Sequence, residues 1–162
     1  MRLDWRMLAM SLATLAVSAC GSGAPTPGTD PIETVTRLYD PYIAEAANMP
    51  SLSNAAPWSD DLKPQLEIAQ QTEGGLGFDP IIDGQEYEIK DLNVVLEGEA
   101  GQSTATVRAD FTNLGEPTTV LFDLERQDDG WRVRDVHTSE WALRGLLAAI
   151  PAPQGPPETT KQ

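Results

Sequence analysis

Reactive and cationic side chains are scarce in this chain. It holds one cysteine, one histidine, and 11 lysines and arginines against 25 acidic residues. A lone cysteine excludes an internal disulfide. With a single histidine, Ser–His and Cys–His catalysis have almost no material. No glycine-rich phosphate loop, no Cys/His metal spacing and no nucleophile elbow occurs. No cofactor and no metal is expected, and the chain reads as a non-enzyme. The formal charge of −14 argues against nucleic acid and against adsorption to anionic lipid, because both rest on basic side chains meeting phosphate.

Long hydrophobic runs are missing too. The mainly apolar stretch from Met7 to Val17 has 11 residues, well under the roughly 20 needed to cross a bilayer. Following Arg2 and Arg6, it has the form of a signal-peptide core. Val17-Ser18-Ala19-Cys20 comes next. It resembles the bacterial lipoprotein box, which implies that Cys20 receives diacylglycerol and becomes the mature N-terminus. The alternative is an ordinary secretory signal with an accidental cysteine. By the same resemblance, Gly21 rather than Asp after the cysteine implies outer-membrane delivery, facing the periplasm. More than one acyl chain would anchor the protein stably, where a single chain would not. Loss of residues 1–19 removes two arginines and one aspartate, so the mature charge becomes −15. What remains is long enough for one domain with a core. Residues 20–29, rich in Gly, Ser, Pro and Thr, read as a flexible tether. The domain is expected over 30–150, with a Pro-rich, disordered tail over 151–162.

Tyr87 to Ser139 reads as four consecutive strands. Turn punctuation cuts it at Glu97–Gly101, Asn113–Pro117 and Asp128–Gly130. Between these marks the side chains alternate: Ala105, Val107, Ala109 and Phe111 share one face, as do Val120, Phe122 and Leu124. The fourth strand is expected to put Trp131, Val133, Asp135 and His137 on one face. Such alternation predicts an antiparallel meander with one face on a core. Glu88 to Leu96 alternates less cleanly and is expected at a sheet edge or twist.

Helical sequence flanks the block. Asp30 is a candidate N-cap, with Pro31 in the first turn and Glu33 three residues on. Ile32, Val35, Leu38, Tyr39 and Tyr42 form an apolar stripe, and Pro41 should kink or split the helix. Ser59 is expected to cap a second helix with Leu62, Leu66 and Ile68 inward, and Ser139 a short closing helix that Pro151 stops. No β–α–β alternation occurs, so the fold class is α+β: N-terminal helices packed on a curved antiparallel sheet of about four strands, with a short closing C-terminal helix. A twisted sheet wrapped over helices leaves a cone whose mouth is a candidate pocket.

Four stretches carry a wider likeness: LYDPYIAEA, FDPIIDGQEYEIKDLNV, FTNLGEPTTVLFDLER, and GWRVRDV leading to LRGLL. From Pro31 to Ile150 the chain resembles a bacterial envelope family known as domain of unknown function 3828. The most specific parts are Asp79-Pro80 with Gln85, and Gly130-Trp131 leading to Asp135. The resemblance implies a nuclear transport factor 2-like cone, and some relatives act as immunity proteins against type VI secretion effectors. It supplies no catalytic residues.

Asp135 and His137, expected to face inward beside Trp131, are a candidate acid–base pair. A carboxylate in apolar surroundings holds its proton, and a nearby imidazole could exchange it. The alternative is that Asp135 bonds a helix or turn backbone and His137 ends the strand, partly wet. Tyr39, Tyr42 and Trp58 are candidates for a pocket mouth or for core. Arg144 is a candidate partner of Asp135 or Glu140. Asp79, Asp83 and Asp91 lack the spacing of a calcium loop and are better explained as turn residues. Three functional readings stay open: a lipid-anchored module binding a protein partner, such as a basic effector; a small-molecule or isomerase-like pocket on Asp135 and His137; and a structural envelope component.

Overall fold

Four antiparallel strands lie side by side in chain order: β1 (Ile89–Leu96), β2 (Thr104–Asn113), β3 (Glu116–Gln127) and β4 (Gly130–His137). The computed structural model describes residues 30–44 and 51–151. The expected signal peptide, Cys20, the expected 20–29 tether and residues 152–162 of the expected tail lie outside the described residues.

The period-two pattern sets the faces. Ala105, Val107, Ala109, Phe111 and Asn113 of β2 are buried, as are Val120, Phe122 and Leu124 of β3. Their registry, Val107 opposite Phe122 and Ala109 opposite Val120, stacks small against large along the core. β1 is an edge strand, as its weaker alternation suggests. Its pairing slips by one residue between Lys90 and Asn93, where Asp91 takes a φ of 53°. Such bulges twist an edge and discourage pairing with another chain. The opposite edge, β4, is partly covered by the Pro57–Ser59 segment: Val133 donates to the Pro57 carbonyl and Ser59 to the Val133 carbonyl, each at 2.9 Å.

Helices cover the apolar face. α1 (Pro31–Thr36) starts where expected, with Asp30 Oδ1 accepting the Glu33 N–H at 3.0 Å. Pro41 cannot donate to a helical carbonyl, and the chain passes through a 3-10 turn (Arg37–Tyr39) into α2 (Asp40–Ile43). The stripe of Val35, Leu38, Tyr39 and Tyr42 is buried. After the short α3 (Leu52–Ala55), α4 (Lys63–Gln71) begins later than its expected cap. Pro64 lies in its first turn, while Ser59 closes the preceding turn through its carbonyl and donates Oγ to Asp61. Ile68 was expected inward but is 40% exposed, and Ala69 takes the core position. α5 (Leu143–Ala149) closes the domain, burying Leu143 and Leu147. Ser139 does not cap it. The whole is α+β, as the element order implied.

The β2–β3 turn departs from local preference. Leu114 and Gly115 both have positive φ, 52° and 91°, the backbone of a two-residue hairpin turn that favours Asn-Gly. A leucine there costs roughly 1–3 kcal/mol. Its side chain is 54% exposed, so little burial offsets that cost. Leu114→Asn is expected to raise stability by about 0.5–1 kcal/mol in urea unfolding. An unchanged or lower midpoint would show that Leu114 gains compensation from the fold.

Candidate functional site

The connector from α4 into the sheet, residues 72–88, is where buried polar chemistry concentrates. Tyr39 donates its hydroxyl to the Ile81 carbonyl at 2.9 Å, and Tyr42 donates to the Asp79 carboxylate. The other Asp79 oxygen accepts the Ile81 N–H at 2.8 Å. Asp79 and Gly84 exchange backbone hydrogen bonds of 2.8 and 3.3 Å, closing a small loop whose Ile81 and Ile82 plug the core. Asn113, buried at the end of β2, locks the loop from the other side. It donates to the carbonyls of Ile82 and Glu86 at 3.4 and 3.2 Å and accepts the Glu88 N–H at 3.0 Å. Trp141 packs edge-on against Phe78, with centroids 5.1 Å apart, and donates its indole N–H to Asp83 at 2.9 Å.

Electrostatics follow from this packing. Burial pushes the Asp79 carboxyl above the usual carboxylate range, against the hydrogen bonds from Tyr42 and Ile81 that favour the anion. Burial also raises Tyr42 and Tyr39, and the Asp79 charge beside them adds to it. A groove of about 210 Å³ opens next to the pair, lined by Tyr42, Ile43, Tyr87, Glu88, Ile89 and Lys90.

A second cluster lies on the face of the sheet turned from the helices. Asp123 accepts the Thr106 hydroxyl at 2.7 Å and sits 3.7 Å from Arg134 and 3.8 Å from His137 Nε2. Arg108 approaches Glu97 at 3.0 Å and Asp110 at 3.5 Å.

Here the expected inward pair of Asp135 and His137 is corrected. Leu124 pairs with Val133 but Asp123 pairs with Asp135, so Arg134 is an extra residue, a bulge. The alternation flips after it. Val136 becomes buried while Asp135 and His137 are half-buried. Asp135 Oδ1 accepts the N–H of Val136 at 2.9 Å and of Arg144 at 3.1 Å, holding the first turn of α5. The carboxylate that meets His137 is that of Asp123. Arg144 reaches neither Asp135 nor Glu140 with its guanidinium. It donates to the Arg134 carbonyl and to Asp61, both at 2.8 Å. A hydrogen bond from Ser59, and then Arg144, hold the Asp61 carboxyl below the usual range.

Trp131, Tyr39, Tyr42 and Trp58 are core residues, each at most 4% exposed. Asp79 and Asp83 serve turns, the first capping Ile81 and the second with a φ of 50°, whereas Asp91, with a φ of 53°, sits in the β1 bulge and not in a turn. The sequence does not mark Asp79 and Tyr42 as a pair, because 37 residues separate them and no local pattern links them.

No protein-family model and no curated protein matches the chain. A solved structure, a phospholipid-binding protein from Ralstonia solanacearum in complex with a phospholipid, is similar over 72% of this chain and 69% of its own. The identity is 17% and the TM-score 0.35. Likeness at that level carries no argument about this chain.

The half-buried Asp79 carboxylate sets a pH dependence. The folded Asp79 holds its proton more tightly than the unfolded one, with its ordinary pKa of 3.8. Between that value and the raised one the native state binds more protons, so this group's share of stability falls as pH rises. Asp79→Asn keeps an acceptor for Ile81, reverses the Tyr42 bond by offering an amide N–H to the phenol oxygen, and cannot ionise. The difference in unfolding free energy between the variant and the native chain is expected to favour the variant increasingly from pH 4 to pH 7. A flat difference would refute the raised pKa. Tyr42→Phe, which strips the carboxylate of a donor, is expected to cost about 1–3 kcal/mol at pH 7 by urea unfolding.

Proposed function

We propose that this chain is a lipoprotein of the bacterial cell envelope, anchored through Cys20 in the outer membrane and facing the periplasm. Its domain acts as a non-enzymatic binding module for a basic protein partner. The observation that carries the partner's character is the fate of the cations. Arg37, Lys90, Arg108, Arg132, Arg134 and Arg144 are each held by a carboxylate of the same chain. Arg126 lies over the Trp131 ring at 5.8 Å. Of the described cations this leaves Lys63, while many carboxylates face water without a cation. A surface whose positive charge is spent internally presents mainly negative charge to an incoming protein, which speeds encounter with a basic one.

The buried polar groups support binding over catalysis. Asp79, Tyr39, Tyr42, Asn113 and Asp135 each bond backbone or one another, so each has a structural task in the fold. The isomerase-like reading loses its basis with the Asp135 bonds to Val136 and Arg144. An immunity-type role, as in relatives of the domain of unknown function 3828 family, would set this surface against a secreted basic effector.

In-cell crosslinking followed by affinity recovery and mass spectrometry tests the proposal. A basic polypeptide recovered near one-to-one is the expected result, with affinity falling roughly tenfold or more between 0.05 and 0.5 M salt. Recovery of abundant envelope proteins alone, or a salt-insensitive affinity, would count against it.

A further inference from the structure

The least comfortable residue of the fold points to a second contact. We infer that Leu114 and Ile43 form an apolar tip that dips into the interfacial layer of the bilayer holding the protein. This inference rests on the lipid-anchor reading of Cys20.

Leu114 and Ile43 are 54% and 53% exposed. They sit at one end of the molecule. The Leu114 N–H donates to the Glu88 carbonyl at 3.3 Å, and Glu88 lines the same groove as Ile43. Neither side chain serves the core, and Leu114 occupies a turn position whose backbone favours Asn or Gly. Nothing in packing or local conformation accounts for a leucine there, and such outliers point to function.

Magnitude selects the occupant. Two apolar side chains set among Glu88, Lys90 and Glu116 fall far short of the roughly 800 Å² per partner of a stable protein interface. A tethered protein needs far less. The anchor already confines the domain near the bilayer, so a partition gain of about tenfold per side chain biases its orientation. The reach suffices. Asp30 to Ile43 spans about 20 Å as helix, and the ten residues from Cys20 to Asp30 extend to about 35 Å at most. The tip and the acyl chains therefore fit in one bilayer leaflet. An acidic protein restricts this to zwitterionic rather than anionic lipid.

The test uses the protein expressed from its full sequence in a bacterium, recovered from the membrane fraction and reconstituted in phosphatidylcholine vesicles. Cys20 is the chain's one cysteine, and acylation consumes its thiol, so Leu114→Cys carries a nitrobenzoxadiazole label alone. Ile43→Cys is a second reporter, and Asp128→Cys, in the turn at the opposite end of the sheet, is the control. Labels at 114 and 43 are expected to emit further to the blue and to be quenched by iodide at least about threefold less than the label at 128. Equal quenching at all three positions overturns the tip. So does equal shielding in the unacylated Cys20→Ser chain free of vesicles and detergent, because the cover is then protein. Intact mass of the same sample separates the two readings. Missing diacylglycerol sinks the anchor, and the tip with it, whereas present diacylglycerol with a wet tip sinks the tip alone.

Discussion

A single sheet with one apolar face is unstable until something covers it, and the cover must be held in place. Here the holding is polar. Tyr39 and Tyr42, whose rings pack in the core, send their hydroxyls out of it to the Ile81 carbonyl and the Asp79 carboxylate. The helix that covers the sheet is thereby fastened to the connector that feeds it. Asn113 fastens the same connector to the end of β2. Helix, connector and strand are joined at one node, where unpaired groups would each cost about 1–3 kcal/mol.

That node also gives the buried acid its structural task. Buried carboxylates and phenols are the raw material of acid–base catalysis, and Asp79 with its raised pKa would qualify on that ground alone. Its oxygens, however, already serve Tyr42 and Ile81. A group so engaged fixes geometry. The same holds for Asp135, which secures α5 through two backbone N–H groups.

Where information is local, the chain is legible. The Asp30 cap, the break at Pro41, the inward faces of β2 and β3 and the edge position of β1 all follow from residue type and period. The fourth strand is different. Trp131, Val133, Asp135 and His137 alternate cleanly in sequence, but a strand's faces depend on its partner, and one extra residue opposite Asp123 reverses them. Arg144 departs from expectation for a related reason: its partners, Asp61 and the Arg134 carbonyl, are brought near by folding alone. Tyr42 with Asp79 belongs to the same class. Candidate site residues suffer most, since sites are assembled from distant segments while strands are written in consecutive ones.

Leu114 reverses the usual relation between sequence and structure. At most positions local preference, burial and tertiary packing agree, and their agreement is what specifies the fold. At Leu114 the hairpin backbone disfavours the side chain and solvent surrounds it, yet the hairpin forms because ten registered residue pairs between β2 and β3 impose it. The register imposes the turn against the preference of its own residue. Asp83 and Asp91 also have positive φ, but aspartate tolerates that backbone and each sits in a turn or bulge that uses it. Strain alone therefore does not single out Leu114. Strain joined to an exposed apolar side chain does, and that conjunction sets the tip apart from the other turns of the molecule.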